Sequence, residues 1–453
     1  MIKTYAEALD WIHGRTHFGV RPGLSRIRYL LKQLGNPQDE LKTIHVAGTN
    51  GKGSTVTYLQ EMFLAKKMKV GTFTSPYVIL FNERISINGE PISNEELIQL
   101  VNKVIPIINE MDATDSELHG ITEFEVITAM MFDYFLKEEV DVAVVEVGLG
   151  GLLDCTNVIK IPVVSGITTI GLDHIDILGD TIEEIATQKA GIIKKNCPVV
   201  TGNIPQEAMV VIQNRAKDKQ AKLYRFNEEY QVQLEGNQGD FIFRNETAIL
   251  ESLHTSLTGR HQIDNAALAI QLFQVYMEKE KIVYTQNQIK EGLERAFIAG
   301  RMETLSESPL VIIDGAHNVP AIYKLKENIS SSFIGNQFKN KKLKIIFAAI
   351  DTKDIVGMLT LLEDIPNSEL ILTSFYNDKA RPVKELAKLA SVVHQVYPNW
   401  EEAVFKTLSE VKEDEALLIT GSLYFISDVR KKFSQTSIYF KEKRKKEFAI
   451  DVL

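Results

Sequence analysis

Apolar residues along this chain fall in short blocks, separated by longer stretches in which they recur every three or four positions. The blocks at 43–47, 140–147, 162–169, 197–201, 310–314, 343–349, 369–373 and 416–420 have the length and β-branched content of buried strands. Between them, 95–109, 123–137, 181–195 and 265–276 carry helical spacing, as do 5–12 and 24–34 nearer the start. Such alternation predicts an α/β protein with a mostly parallel sheet. Residues 222–258 change rhythm, with period-two runs such as Gln231-Val-Gln-Leu-Glu235 and Asp240-Phe-Ile-Phe-Arg244. They predict a small antiparallel extension of the main sheet. After Ala296 the pattern breaks, then a fresh β–α alternation runs on from residue 298. A chain of 453 residues exceeds one ordinary core, so two domains are expected, 1–297 and 298–453.

The first block ends abruptly in Gly48-Thr-Asn-Gly-Lys-Gly-Ser54, and a helical pattern follows with Val56, Leu59 and Phe63 on one face. A strand, a glycine-rich turn and a helix start make a phosphate cradle. Glycines let backbone N–H groups curl round an anion, and the helix N-terminus and Lys52 add positive charge. Gly48, Thr49, Asn50, Gly51, Lys52, Gly53 and Ser54 are therefore candidates for nucleotide binding. The generic phosphate-loop pattern would place Gly at 46 and Ser or Thr directly after the lysine. Here Val46 stands at the first position and Gly53 separates Lys52 from Ser54. A plain capped turn leaves three glycines and an embedded lysine in seven residues unexplained. The N-terminal domain is accordingly expected to be a P-loop nucleotide domain, and the smaller C-terminal one Rossmann-like.

Composition narrows the class. With 44% hydrophobic and 25% charged residues, the chain reads as a globular protein without a bilayer-spanning run. A net charge of −9 argues against a general nucleic-acid binder. Cys155 and Cys197 are the only cysteines and lack metal-ligand spacing, which suits a reducing cytoplasm. The opening residues do not resemble a signal peptide. The one basic cluster, at 441–447, reads as a solvated helix end.

Further candidates stand at strand ends. Glu146 closes one apolar block just before Gly148-Leu-Gly-Gly151, where α/β proteins bind ligands and where a carboxylate can hold Mg²⁺. Asp173 and His174 follow another strand and are candidates for a metal or phosphate site. Lys189 falls in an apolar helical stripe with Ile182, Ile185, Ala186 and Ile193. Its amine must either snorkel to water or be neutralised or paired for a purpose. In the second domain, Asp314 ends a strand, His317 lies in the turn beyond it, and Gly300-Arg301 stands at the domain's start.

Together these residues resemble the folylpolyglutamate synthase/dihydrofolate synthase family, within the Mur ligase group of ATP-dependent amide-forming enzymes. The likeness runs over nearly the whole chain. It is carried by Gly48-Thr-Asn-Gly-Lys-Gly-Ser54, Thr74-Ser-Pro76 with Glu83-Arg-Ile85, Glu146-Val-Gly-Leu-Gly-Gly151 and Gly171-Leu-Asp-His174. Lys189-Ala-Gly-Ile192, His261-Gln262 with Asn265-Ala-Ala267, Gly300-Arg301 and Asp314-Gly-Ala-His-Asn318 continue it in order.

The resemblance implies that residues 48–54 bind ATP phosphates and that Ser75, Glu146 and His174 hold Mg²⁺. It implies that Lys189 is carbamylated and offers its new carboxylate to a second metal ion. Asn265, Arg301 and Asp314 would contact ATP, with His317 near the transferred phosphate and the incoming L-glutamate. Lys52, Lys189 and His317 would carry catalysis. Ser75, Pro76, Tyr77 and Arg84, in the loop 74–85, would shape the folate pocket. A cytoplasmic monomer acting on folate and L-glutamate, with no nucleic-acid or membrane partner, is the expectation.

Departures from the family pattern are local. Tyr77 stands where Ser-Pro-His is common, Leu152 and Cys155 where Arg and Ala are common, and Gln188 where Glu is common. They leave the phosphate and metal residues intact and bear on pteridine choice. Two other readings compete. A peptidoglycan-type Mur ligase generally has an additional N-terminal domain for a UDP-sugar, whereas 47 residues precede Gly48. A GTPase switch would carry Asn-Lys-x-Asp, but Asn340-Lys-Lys-Leu343 lacks the aspartate.

Overall fold

The computed structural model describes residues 1–433 except 78–79, 115–116, 236–239, 331–337, 339–340, 352 and 393–394. The basic run at 441–447 lies outside the described residues, as does Asn340. Contacts divide the chain into two compact units, one of Met1–Ser256 with His261–Phe297, the other of Leu257–Arg260 with Ile298–Leu453.

In the first unit, strands β1 (Thr43–Ala47), β2 (Val70–Phe73), β3 (Ile85–Ile87), β4 (Glu90–Pro91), β5 (Val142–Glu146), β6 (Val164–Ile167), β7 (Val199–Thr201) and β8 (Leu223–Arg225) form one sheet. Its order is β4-β3-β2-β5-β1-β6-β7-β8. The six strands from β2 to β8 pair in parallel, and β3 and β4 close the edge antiparallel. The chain leaves β1 for β2 on one side and later returns to β6 on the other. The carboxyl end of β1 is thus a switch point, where crevices for ligands form.

Helices cover both faces. Tyr5–His13 (α1), Ser25–Gln33 (α2), Lys52–Ala65 (α3), Asn94–Asp112 (α4) and Glu123–Lys137 (α5) precede β5, and Ile175–Leu178 (α6) and Ile182–Ala190 (α7) follow β6. Gln206–Asp218 (α8), Arg260–Glu280 (α9) and Gln286–Arg295 (α10) come later in the chain. One core joins α1, α2, α4 and α5 to the β2–β5 side of the sheet, around Phe73, Phe132, Phe135 and Val145. Another packs α7 and α8 beneath β6 and β7, around Ile167, Ile185, Ile193 and Ile212.

The boundaries have local causes. Capping boxes start α5, with Thr122 and Glu125, and α7, with Thr181 and Glu184. The spacing predicted a helix through residue 195, but α7 stops at Ala190. At Gly191, which follows, a Cβ would lie 2.3 Å from Leu152 Cα, so the chain turns where two backbones touch. Ile193 is buried in the same core but lies off the helix.

The period-two region divides in two. Tyr230–Glu235 (β9), Asp240–Asn245 (β10) and Ile249–Leu253 (β11) form a separate antiparallel sheet in the order β11-β10-β9. The preceding β8 instead extends the large sheet in parallel beside β7, a correction to the reading of the whole segment as hairpins.

The second unit has its own six-stranded sheet. Glu303–Glu307 (β12), Leu310–Asp314 (β13), Lys342–Phe347 (β14), Ser368–Thr373 (β15), Gln395–Tyr397 (β16) and Glu415–Thr420 (β17) lie in the order β12-β13-β17-β14-β15-β16. Only β12 is antiparallel. Apolar clusters cover both faces, one around Ile345 and Leu418, the other around Ile346 and Phe425. Among the described residues, no helix is long and apolar enough to cross a membrane.

Candidate active site

The phosphate loop is built between two neighbouring strands. Val46 of β1 pairs with Glu146 of β5, and Ala47 pairs with Ile167 of β6. Residues ending all three strands therefore gather at one edge. Gly48 and Gly51 have φ of 153° and 86°, conformations that a side chain would oppose. A Cβ at Gly48 would collide with Thr168 Oγ1 at 1.8 Å, and one at Gly51 with Asn265 Oδ1 at 2.4 Å.

The β6 side braces the loop by hydrogen bonds. Thr168 and Thr169 hydroxyls donate to Asn50 O at 2.6 and 3.0 Å, and Asn50 N donates to Thr169 Oγ1 at 3.1 Å. Thr49 N donates to Thr169 O at 2.8 Å, while its hydroxyl bonds Gly171 O at 3.1 Å. The loop is thus held through its own polar groups. Helix α3 then begins at Lys52 with no side-chain cap, so its first-turn amides have no partner within the helix. Ser54 is buried in that first turn.

The β5 side supplies charge. Lys52 Nζ donates to Gly48 O at 3.0 Å and Thr49 O at 3.3 Å, and stands 3.8 Å from Glu146 Oε1. Glu146 is 4% exposed, and its Oε2 accepts from Ser75 N at 3.4 Å. Ser75 precedes a cis bond to Pro76. The candidates at 48–54, 75 and 146 therefore meet in one place, joined by Asn265 from α9.

Lys189 is buried, at 4% exposure, in the last turn of α7, so it does not snorkel to water. Burial, with Lys52 adding to it, lowers its pKa to about 7, against the opposing pull of Asp173 and Asp154. The neutral amine is thereby accessible near neutral pH. Gly151 lets the loop after β5 press on this turn, since a Cβ there would lie 2.8 Å from Gln188 O.

His174 has φ 50° before α6, and its ring is about half exposed, 4.0 Å from Asp173 Oδ2. Among the described residues, no group of three or more His, Cys, Asp or Glu side chains forms a metal cluster. A cation here could draw on the hard oxygens of Glu146 and Ser75 and on those of a triphosphate, donors that suit Mg²⁺.

Beyond Ser75, Arg84 lies over the rings of Tyr77 and Phe81, at 5.2 and 5.4 Å from their centroids. In the second unit, Asp314 is buried and accepts from Met302 N and Ala316 N, both at 2.9 Å. Burial raises its pKa, against the pull of the Arg301 charge. His317 Nδ1 lies 2.7 Å from Gly315 O, which fixes the ring in the turn. Arg301, Asp314 and His317 thus gather at the end of β13.

Sequence reasoning missed Thr168, Thr169 and Gly171 as parts of the phosphate loop. It also missed Asp154, which is buried, accepts from Leu149 N at 2.8 Å, and has its pKa raised by burial.

Comparison with known proteins bears on the family and the fold. The Mur ligase middle domain family matches residues 46–273, and the Mur ligase glutamate ligase domain family matches 300–423. A dihydrofolate synthase/folylpolyglutamate synthase of Bacillus subtilis (strain 168) is 42% identical over 95% of this chain and 100% of its own length. A Mycobacterium tuberculosis folylpolyglutamate synthase complexed with ADP and AMPPCP superposes with a TM-score of 0.86 at 30% identity, covering 94% of this chain and 98% of that one. An FPGS–AMPPCP–folate complex superposes with a TM-score of 0.81 at 34% identity, covering 95% and 99%. The chain belongs to the folylpolyglutamate synthase/dihydrofolate synthase family of the Mur ligases.

Proposed function

We propose that the protein is an ATP-dependent ligase that adds L-glutamate to the γ-carboxyl of a folate, releasing ADP and phosphate. The observation that carries this is the braced phosphate loop, with Lys52 and Glu146 set at its mouth, in a chain that matches both Mur ligase domains. Residues 1–297 are assigned to ATP binding and 298–453 to glutamate ligation.

A carboxylate is a poor electrophile, so ATP first phosphorylates it to an acyl phosphate. The amine of L-glutamate then attacks the acyl carbon, and phosphate leaves. Residues 48–54 and Asn265 cradle the nucleotide, and Lys52 balances charge on the transferred phosphoryl group. Ser75, Glu146 and His174 would hold Mg²⁺, and carbamylated Lys189 a second ion. Bound there, magnesium would supply charge neutralisation and orientation of the triphosphate. Arg301 and Asp314 are assigned to the nucleotide, and His317 to the incoming glutamate. Ser75, Pro76, Tyr77 and Arg84 line the folate side. Tetrahydrofolate is the expected acceptor, and dihydropteroate a second one that Tyr77 disfavours.

Phosphate release by the pure enzyme with ATP and Mg²⁺ tests the reading. It should require both a folate and L-glutamate, with ADP as the nucleotide product. Release that ignores glutamate, or formation of AMP and pyrophosphate, would exclude an acyl-phosphate ligase. Dihydropteroate used as efficiently as tetrahydrofolate would overturn the role given to Tyr77.

A further inference from the structure

We propose that Glu123 is a positioning residue for the acceptor. It holds Arg84 so that the guanidinium receives the non-reacting α-carboxylate of a folate's terminal glutamate, favouring glutamate-terminated acceptors over pteroates. The proposal rests on the reading of the loop 74–85 as the folate loop.

Arg84 is a partly buried cation in an aromatic setting. Its side chain is 14% exposed, stacked over Tyr77 and Phe81, and its Nε has no hydrogen-bond partner among the described residues. Among the described residues, the carboxylate paired with it is Glu123, whose Oε1 lies 3.7 Å from an Arg84 terminal nitrogen. That is too long for a tight fork, so both charge and donors remain for another anion.

Glu123 is itself fixed from several sides. Its Oε2 stands 3.3 Å from His13 Nδ1, and His13 packs edge-on against Phe81 at 5.4 Å. It occupies the first turn of α5, where the helix N-terminus favours a carboxylate. The next residue, Phe124, stacks on Phe73 at 5.6 Å and fills the space beside Gly148, where a Cβ would lie 2.3 Å from its ring. The backbone of Arg84 is fixed too, as its carbonyl accepts from Thr74 N at 3.1 Å, next to Ser75. Position is thus relayed from the loop after β5, through Phe124 and Glu123, to the Arg84 guanidinium.

The chemistry selects which carboxylate binds. A carboxylate gripped by a guanidinium loses nucleophilicity toward phosphorus, so the reacting γ-carboxylate is the wrong one to hold. A folate offers a second, α-carboxylate that takes no part in the reaction. A pteroate has only the carboxylate that must react.

Calorimetric titration tests this without turnover, with the protein saturated by AMPPCP and Mg²⁺. Glu123→Gln should weaken tetrahydrofolate binding about tenfold or more, leave dihydropteroate within about twofold, and leave AMPPCP affinity unchanged. Glu123→Asp should recover part of the loss. Equal weakening of both acceptors, or none for either, would overturn the proposal. If Glu123→Gln melts early, Arg84→Gln should show the same selective loss, and an unselective one would overturn the proposal. Failure of the unsubstituted protein to bind either acceptor would instead overturn the folate reading beneath it.

Discussion

Gly51 and Asn265 are in direct contact, since a Cβ on residue 51 would stand 2.4 Å from Asn265 Oδ1. A residue of the phosphate loop and a residue of α9 are thereby fixed together, 214 positions apart in the chain. Asn265 cannot swing away freely, because its amide donates to Gln262 Oε1 at 3.1 Å in a buried setting.

Gly51→Ala should therefore act twice. The left-handed φ of 86° is strained for alanine, and the methyl group displaces Asn265. We expect a stability loss of about 1–3 kcal/mol and at least about a tenfold loss of ATP affinity. Thermal melting and AMPPCP titration measure the two separately. Unchanged nucleotide affinity would remove this contact from the binding site.

The threonines after β6 offer a graded comparison. Thr169 both donates to Asn50 O and accepts from Asn50 N, whereas Thr168 only donates to that carbonyl. Thr169→Val should raise the KM for ATP more than Thr168→Val, by roughly the effect of one extra hydrogen bond, about 1 kcal/mol or fivefold. Because the hydroxyls share an acceptor, the double variant should fall short of the sum. Full additivity in steady-state kinetics would show that the two act independently.

These braces mark where sequence reading ends. Glycines and an embedded lysine carry their own local signature, so the phosphate loop was legible. Thr168 and Thr169 matter only because β6 pairs beside β1, a neighbour relation between segments more than 110 residues apart. Glu123 merely opens the helical stretch 123–137 in the sequence, and its link to Arg84 arises from packing. Lys189 was legible as an anomaly of spacing, but only the fold decides between burial and snorkelling. The region 222–258 was half legible: alternation identified strands, yet β8 takes its place from the open edge of β7, which no local pattern encodes.

His45 sets a pH dependence remote from the chemistry. It is fully buried in β1, with Nε2 2.8 Å from Thr156 Oγ1, and burial, with a smaller push from Lys194, lowers its pKa to about 3. Between about pH 3 and 6.5 the unfolded chain binds a proton there that the folded one does not, so stability from this group is lost as pH falls through that window. His45→Gln, which can still reach Thr156, should show a shallower acid loss of stability between pH 6.5 and 4. Urea midpoints against pH measure it, and parallel profiles for the two proteins would refute the assignment.

Under the proposed mechanism, Lys189 would join stability and catalysis. Its neighbours on the helix, Ile185 and Ala186, are fully buried, so Lys189→Ala suits the site and should leave the fold intact. With the amine's pKa near 7, a neutral fraction is present at physiological pH to attack CO₂, giving a carbamate anion and one released proton. On the proposed reading, that would convert a costly buried ammonium into a carboxylate able to bind a metal ion. Lys189→Ala should then lose at least about 100-fold in kcat, nearly 3 kcal/mol of transition-state stabilisation. Lys189→Arg should fail as well, since guanidinium stays charged and cannot form the carbamate. Acetate should restore part of the alanine variant's turnover, while the arginine variant, whose side chain fills the space, should not respond. Mass spectrometry after trapping the carbamate by carboxyl alkylation should find the modification on Lys189 alone. An alanine variant with near-normal turnover would leave Lys189 a buried structural amine.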